Sequence, residues 1–288
     1  MMAAAATPVR APTRRRAIPW TVIPFAAILL ALVLIAIFAP LIAPMDPNAQ
    51  NLLARLKAPG FEARGLTYYL GSDELGRDVL SRTIYGARVS LLVAFASVIL
   101  SGIFGSVLGM VAAFYRGWVE TIIMRLVDIV LSVPAILLAI ITVAVLGPSL
   151  YNVVIVLAFT RWPRYARVAY GQTLSVANMP YVKLARFMGA GWFRLLWRHI
   201  LPNIAGALIV VATLEFGLMV LFEAGLSFLG LGVQPPTSSW GAMLSTGRNY
   251  VGNAWWIATF PGLTLFMLIL SINLIGDHTR DRLDPRSR

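Results

Sequence analysis

The sequence predicts an all-α polytopic membrane protein with six transmembrane helices. The prediction rests on composition, on the length of the apolar segments, and on the side to which the basic loops fall. Of 288 residues 59% are apolar and 12% charged, whereas soluble domains carry about 25% charge. A soluble chain of this size could not bury so much apolar surface and still cover itself with polar groups. Lipid is the solvent that accepts it.

A helix needs about 20 apolar residues to cross the hydrocarbon core. Six segments qualify: 21–43, 89–114, 119–146, 150–172, 203–223 and 254–275. The first follows a basic tail, residues 1–20, and could pass for a signal peptide. Its run from Val22 to Ile42 is too long for one and ends in a poor cleavage match at Ala43-Pro44-Met45-Asp46, so it reads as a retained first span. In the fourth, Arg161, Trp162, Pro163 and Arg164 interrupt the apolar run, which predicts an irregular cytosolic end.

The net charge of +12 would point to nucleic acid in a soluble protein. Here the basic residues lie between spans, where topology explains them and no nucleic acid is implied. One set of loops holds Arg10, Arg14, Arg15, Arg16, Arg116, Arg164, Arg167, Lys183, Arg186, Arg194 and Arg198, and ends with Arg280, Arg282, Arg286 and Arg288. The other holds Arg55, Lys57, Arg64, Arg77, Arg82 and Arg88, offset by Asp46, Glu62, Asp73, Glu74 and Asp78, plus Arg248. By the positive-inside rule the first set is cytosolic. Both termini, including a C-terminal tail from 278 to 288, then lie inside, and the 44–88 and 224–253 segments outside.

The second span carries Gly102, Gly105 and Gly109 among Ser97, Ser101 and Ser106. Small residues at this spacing let helices approach closely in lipid, either within the chain or against another subunit. In the external segment, Ser72 or Asp73 can cap a helix. Asp73–Arg77 and Asp78–Arg82 are acid-before-base pairs four apart, so an amphipathic interfacial helix is expected there. Between the last two spans, four glycines precede Pro235-Pro236. That stretch predicts a broken segment folding back into the outer mouth, with Trp240 at the interface.

The stretch 178–202 is the most informative. Pro180 suits a first helical turn. Tyr181, Val182, Ala185 and Met188 recur at helical spacing, with Lys183 and Arg186 on another face. Gly189 and Gly191 then break the helix, and an amphipathic piece with Trp192, Leu195, Leu196, Arg194 and Arg198 leads to Pro202, which opens the fifth span. Such a helix–turn–helix either docks into a soluble partner or lies on anionic lipid.

This stretch resembles the segment with which permeases of ATP-binding-cassette importers engage their ATPases, Glu-Ala-Ala-x3-Gly-x9-Ile-x-Leu-Pro. Lys183-Leu184-Ala185, Gly189 and Leu201-Pro202 stand in its slots with the spacing kept. Lys183 replaces the usual acid and His199 the isoleucine. With the segments 70–91 and 223–244, the resemblance is to the dipeptide/oligopeptide/nickel branch, C-type subunit, over most of residues 70–277. It implies the type I importer permease fold, with an ABC transmembrane type-1 domain over 89–277. By that resemblance Tyr181, Lys183, Leu184, Ala185, Arg186, Gly189, Ala190, Leu201 and Pro202 face an ATPase. The implied partners are a second, homologous permease forming a heterodimer, two ATPase subunits, an extracytoplasmic solute-binding protein and membrane lipid. The implied place is the bacterial cytoplasmic membrane.

No catalytic constellation stands out. The lysines are Lys57 and Lys183, neither after a glycine, so the phosphate-cradling GxxxxGK[ST] loop is excluded. ATP and magnesium are therefore expected on partner subunits, with no cofactor or metal in this chain. The absence of cysteine excludes disulfides and thiolate sites. Intramembrane charges are functional candidates. Arg125 and Asp128 can pair at i,i+3, and Glu215, near the middle of span five, either lines a pathway or is held by a hydrogen-bonding partner. Two functions compete on the residues: an ATP-driven importer subunit working by alternating access, which the resemblance favours, and an ion-coupled secondary transporter using Glu215 and Asp128. The second would show internal repeats, and no matching halves are present.

Overall fold

The computed structural model describes residues 20–63 and 65–283. The basic tail through residue 19, with Arg10, Arg14, Arg15 and Arg16, lies outside them, as do Arg64, Arg286 and Arg288. Among the described residues the chain is helical apart from one small hairpin. In that hairpin β1 (Phe61–Ala63) pairs antiparallel with β2 (Leu66–Tyr68), Glu62 opposite Thr67.

Helix α1 (Ile23–Ile37) and the short α2 (Ala39–Ile42) lead to this hairpin segment. Helix α3 (Val79–Tyr115) has 37 residues, about 55 Å, and so extends well beyond the hydrocarbon core. It starts ten residues before the predicted span. Asp78 is its N-cap, accepting from the Ser81 N–H at 2.8 Å. The expected interfacial helix is therefore corrected. Residues 70–78 form turns, neither Ser72 nor Asp73 caps, and the first turn of α3 begins directly after Asp78.

The predicted span 119–146 is broken. Helices α4 (Gly117–Ser132) and α5 (Ala135–Leu146) meet at 91° across Val133-Pro134, where proline supplies no N–H to continue the ladder. The opposite correction applies to α6 (Leu150–Ala177), which runs unbroken through Pro163. Neighbouring helices make such a proline tolerable in a membrane. Here α6 lies against the small-residue face of α3, where a side chain at Gly105 or Gly109 would collide with the backbone of Trp162 or Ala166. The glycine–serine stripe therefore serves packing within the chain.

After α7 (Pro180–Phe187) the chain turns into α8 (Trp192–Arg194), a π-helical stretch over Leu195–Ile200, and α9 (Leu201–Phe228). These form one continuous helix, Trp192–Phe228, so Pro202 does not open the fifth span. Helix α10 (Trp240–Arg248) folds back beside α9, and α11 (Trp256–Leu283) continues through the expected start of the C-terminal tail at 278. Trp240 is fully buried and its indole N–H donates to the Thr83 carbonyl at 2.9 Å. It sits in the core where α3 and α10 meet, rather than at the interface.

By length and composition α3, Trp192–Phe228 and α11 can each cross a membrane, with a fourth span if the bent α4–α5 pair counts as one. The fold is all-α and polytopic.

Candidate functional site

The 178–202 segment is built on a helix stop. Met188 ends α7, and Gly189 follows at φ +83°. The Gly189 N–H donates to the Arg186 carbonyl and the Ala190 N–H to the Ala185 carbonyl, each at 3.1 Å. This is the paired-bond Schellman closure, whose first residue past the helix needs a left-handed backbone. Val182, Leu195, Leu196, Ile200 and Ile204 are buried together with Met110, Ala169 and Val176 of α3 and α6. They seat the segment on the transmembrane helices.

That seating decides which residues remain outside. Tyr181, Lys183, Leu184, Arg186, Gly189 and Pro202 are exposed, while Ala185, Ala190 and Leu201 are half-buried. Met188, grouped with Val182 by helical spacing, is 80% exposed, and Phe187 beside it 90%. Sequence reasoning missed this apolar tip. The available signal was a pair of large apolar residues directly before a glycine stop, where the chain turns away from its own core.

The intramembrane charges pair differently from expectation. Asp128 accepts from Arg167 of α6, and both are exposed; the local Arg125–Asp128 pair is not formed. Glu215 is 3% exposed and accepts from the Arg161 Nε at 2.7 Å, with the Arg164 Nη1 at 3.7 Å from its other oxygen. Arg161 is itself 5% exposed and lies 5.0 Å from the Phe222 ring centre. Its importance was missed because the residues around it read as the end of a span. The partner of Glu215 stands 54 residues away.

In the segment before α3, Arg77 is buried against Asp73 at 2.6 Å, the expected pair although formed in turns, and also reaches Glu74 at 2.8 Å. The Asp78–Arg82 pair does not form. Asp78 caps α3, while Arg82 approaches Asp73 at 3.4 Å and donates to the Pro47 carbonyl. Burial pushes the carboxyls of Glu74 and Asp78 above their ordinary range, with the neighbouring Asp73 charge adding to both. The Trp256 indole donates to the Ser72 carbonyl at 3.0 Å, so this cluster is fastened to α11. Among the described residues no group of three metal-ligating side chains comes together.

A long helical bundle with a glycine-stopped projection is the setting in which similarity to known proteins becomes informative. Residues 105–288 match the family described as the binding-protein-dependent transport system inner membrane component. The chain belongs to that family. Residues 25–59 match the N-terminal transmembrane domain of oligopeptide transport permease C. The permease is 47% identical over 259 residues to the di/tripeptide transport system permease protein DppC of Pseudomonas aeruginosa, covering 90% of this chain and 86% of that one. It is 42% identical to the probable D,D-dipeptide transport system permease protein DdpC of Escherichia coli, over 91% of this chain and 86% of that one. Similarity to the glutathione transport system permease protein GsiD of Pectobacterium atrosepticum is 40%, over 89% and 84%. The fold resembles a chain of the inward-facing MetNI methionine ABC transporter, with TM-score 0.56 and 19% identity over 70% of this chain and 96% of that one.

The protein is thus a permease subunit of an ABC importer, a multi-pass component of the inner membrane that carries no catalytic centre of its own. Of the two residues on which the ion-coupled alternative rested, Glu215 is ion-paired with Arg161 and Asp128 with Arg167.

Proposed function

We propose that the permease forms half of the pathway of an ATP-driven peptide importer that works by alternating access. Its relatives bear the names of dipeptide, tripeptide and glutathione systems, so small peptides are the expected cargo. Six membrane crossings are counted when α6 and the bent α4–α5 pair each count as one, and cytosolic termini are the reading the remaining loop charges support once Arg164 and Arg167, which lie within α6, are left out of them. Its partners would be a second permease, two ATPases and an external binding protein.

The observation that carries the coupling role is the exposed Leu184–Phe187–Met188 tip on the Gly189 turn. An apolar knob on a short rigid helix fits a groove in a soluble protein better than open water. Tyr181, Lys183, Leu184, Ala185, Arg186, Gly189, Ala190, Leu201 and Pro202 would form or support that contact, and movement of the ATPases would reach the bundle through Val182, Leu195 and Leu196.

Reconstitution of the whole assembly tests this. Peptide uptake should require ATP and continue when ion gradients are collapsed, while the purified chain alone neither binds nor hydrolyses ATP. Gradient-driven uptake in the absence of the ATPases would sink the proposal.

A further inference from the structure

The charges at the middle of α6 do not balance. Helix α6 has 28 residues, and Arg161 and Arg164 straddle its midpoint, about 20 Å from either end at 1.5 Å per residue. Glu215 meets them from the continuous helix Trp192–Phe228. There two guanidiniums meet one carboxylate. Arg161 makes the short contact, and its buried Nη2 has no hydrogen-bond partner among the described residues. Arg164 is only 3.7 Å from Glu215, yet its side chain is 55% exposed.

An exposed arginine midway through a span does not face lipid; such residues face protein or a water-filled cavity. The surface next to it is polar as well. On α4, Thr121, Arg125, Asp128 and Ser132 are all exposed and recur at spacings of four, three and four, which places them in one stripe. An adjoining exposed stripe on the same helix, Trp118, Ile122, Leu126 and Ile129, is wholly apolar and suits lipid. Asp128 is tied to Arg167, one turn beyond Arg164, so the polar stripe of α4 meets the arginines of α6 at this contact.

We propose that Arg164, held beside Glu215, is an anion-binding point of the translocation pathway that receives the carboxylate of the transported peptide. This rests on the peptide-importer reading above. Peptides that differ in every side chain still share a terminal carboxylate, so one surplus guanidinium midway along α6 serves them all. Glu215 keeps the site shallow. It already occupies the Arg161 guanidinium and competes for Arg164, so a passing carboxylate is met by a single charge and is released. Arg161, buried, acts as a positioning residue by fixing Glu215.

The test uses the assembled transporter in proteoliposomes with dialanine and dialanine amide as probes. The chain has no native cysteine, so Arg164→Cys introduces its one thiol. That thiol should react with a membrane-impermeant thiosulfonate. Dialanine uptake should fall about tenfold, the scale of one charge-assisted hydrogen bond. A cationic adduct should restore uptake and an anionic one should not, while Arg164→Lys should keep most of it. In Arg164→Gln the preference for dialanine over its amide should shrink in the same proportion. A thiol that stays unreactive with and without ATP, equal recovery with either adduct, or an unchanged dialanine-to-amide ratio would each overturn the assignment. Absence of ATP-dependent dialanine uptake by the wild type would instead refute the peptide reading, and thiol reactivity would still decide whether position 164 faces water.

Discussion

Replacing Gly189 with valine separates docking into an ATPase from adsorption onto lipid, and the structure sets its size. Gly189 holds φ +83°, a backbone region that costs an ordinary L-residue about 1–2 kcal/mol and a β-branched one more. No atom lies within 4 Å of where its Cβ would stand. In this chain alone the penalty is therefore backbone strain, without a clash. Relaxing that strain means opening the two closing bonds, from Gly189 to Arg186 and from Ala190 to Ala185. Helix α7 has only eight residues, too few to persist on propensity alone. A shift of about 1.4 kcal/mol lowers the population of the closed turn relative to open forms tenfold. Gly189→Val should accordingly reduce co-purification of the ATPases and peptide-stimulated hydrolysis severalfold or more. Gly189→Asn, which tolerates the left-handed region, should be close to wild type. Lys183→Glu, exposed and outside the closure, should have little effect and places an acid where the resembling permeases carry one. If the segment merely lay on anionic lipid, the ranking would reverse, since each lost positive charge costs about 1 kcal/mol of membrane attraction. Normal coupling in Gly189→Val together with lost function in Lys183→Glu would refute the docking argument.

The buried polar contacts carry further expectations. Glu215→Leu strands the Arg161 guanidinium in the membrane and should destabilise the subunit by about 3–5 kcal/mol; adding Arg161→Met should recover most of the loss, read as melting temperature in detergent. Trp240→Phe removes the indole bond to the Thr83 carbonyl and should cost about 1 kcal/mol, loosening α10 in hydrogen exchange while α6 stays protected. Glu74 carries a raised pKa, so its contribution to stability is full below its ordinary value of 4.5 and is lost as pH rises through the raised value. Glu74→Gln should flatten the melting profile over that interval, and an unchanged profile would show that the carboxyl does not titrate there.

What local spacing determines was readable in the sequence. The glycine stop at 189 and the Asp73–Arg77 pair each depend on residues within a few positions of one another, although the pair sits in turns and not on the helix expected there; the spacing of Gly105 and Gly109 marked a close-packing face, and which helix fills it was not readable. Contacts that depend on which helices meet were not readable. Nothing near Trp240 in sequence reveals that its partner is the Thr83 carbonyl, 157 residues away. Nothing near Asp128 favours Arg167 over Arg125. Both i,i+3 and i,i+4 neighbours are geometrically available on an isolated helix, and only the approach of α6 makes the distant arginine the better one. The same holds for Asp78. Its spacing to Arg82 suits a mid-helix ion pair, but the helix begins at Val79, and the carboxylate is taken up by the orphan N–H of Ser81.

The misreading of α6 has a more general cause. A hydropathy window charges each arginine its full cost of entering lipid, so Arg161 and Arg164 look like the place where a span must end. That cost applies to an isolated charge. Once Glu215 stands 2.7 Å away and both partners are buried, attraction between them offsets much of the desolvation penalty, and the helix runs on through Pro163. The residue-by-residue sum therefore errs in a predictable direction. It ends spans early wherever two helices contribute opposite charges at the same depth. The pairing that lets α6 run on through Arg161 also leaves one positive charge over at Arg164, so the residues that look like a break in the sequence are the ones that meet the polar stripe of α4 in the structure.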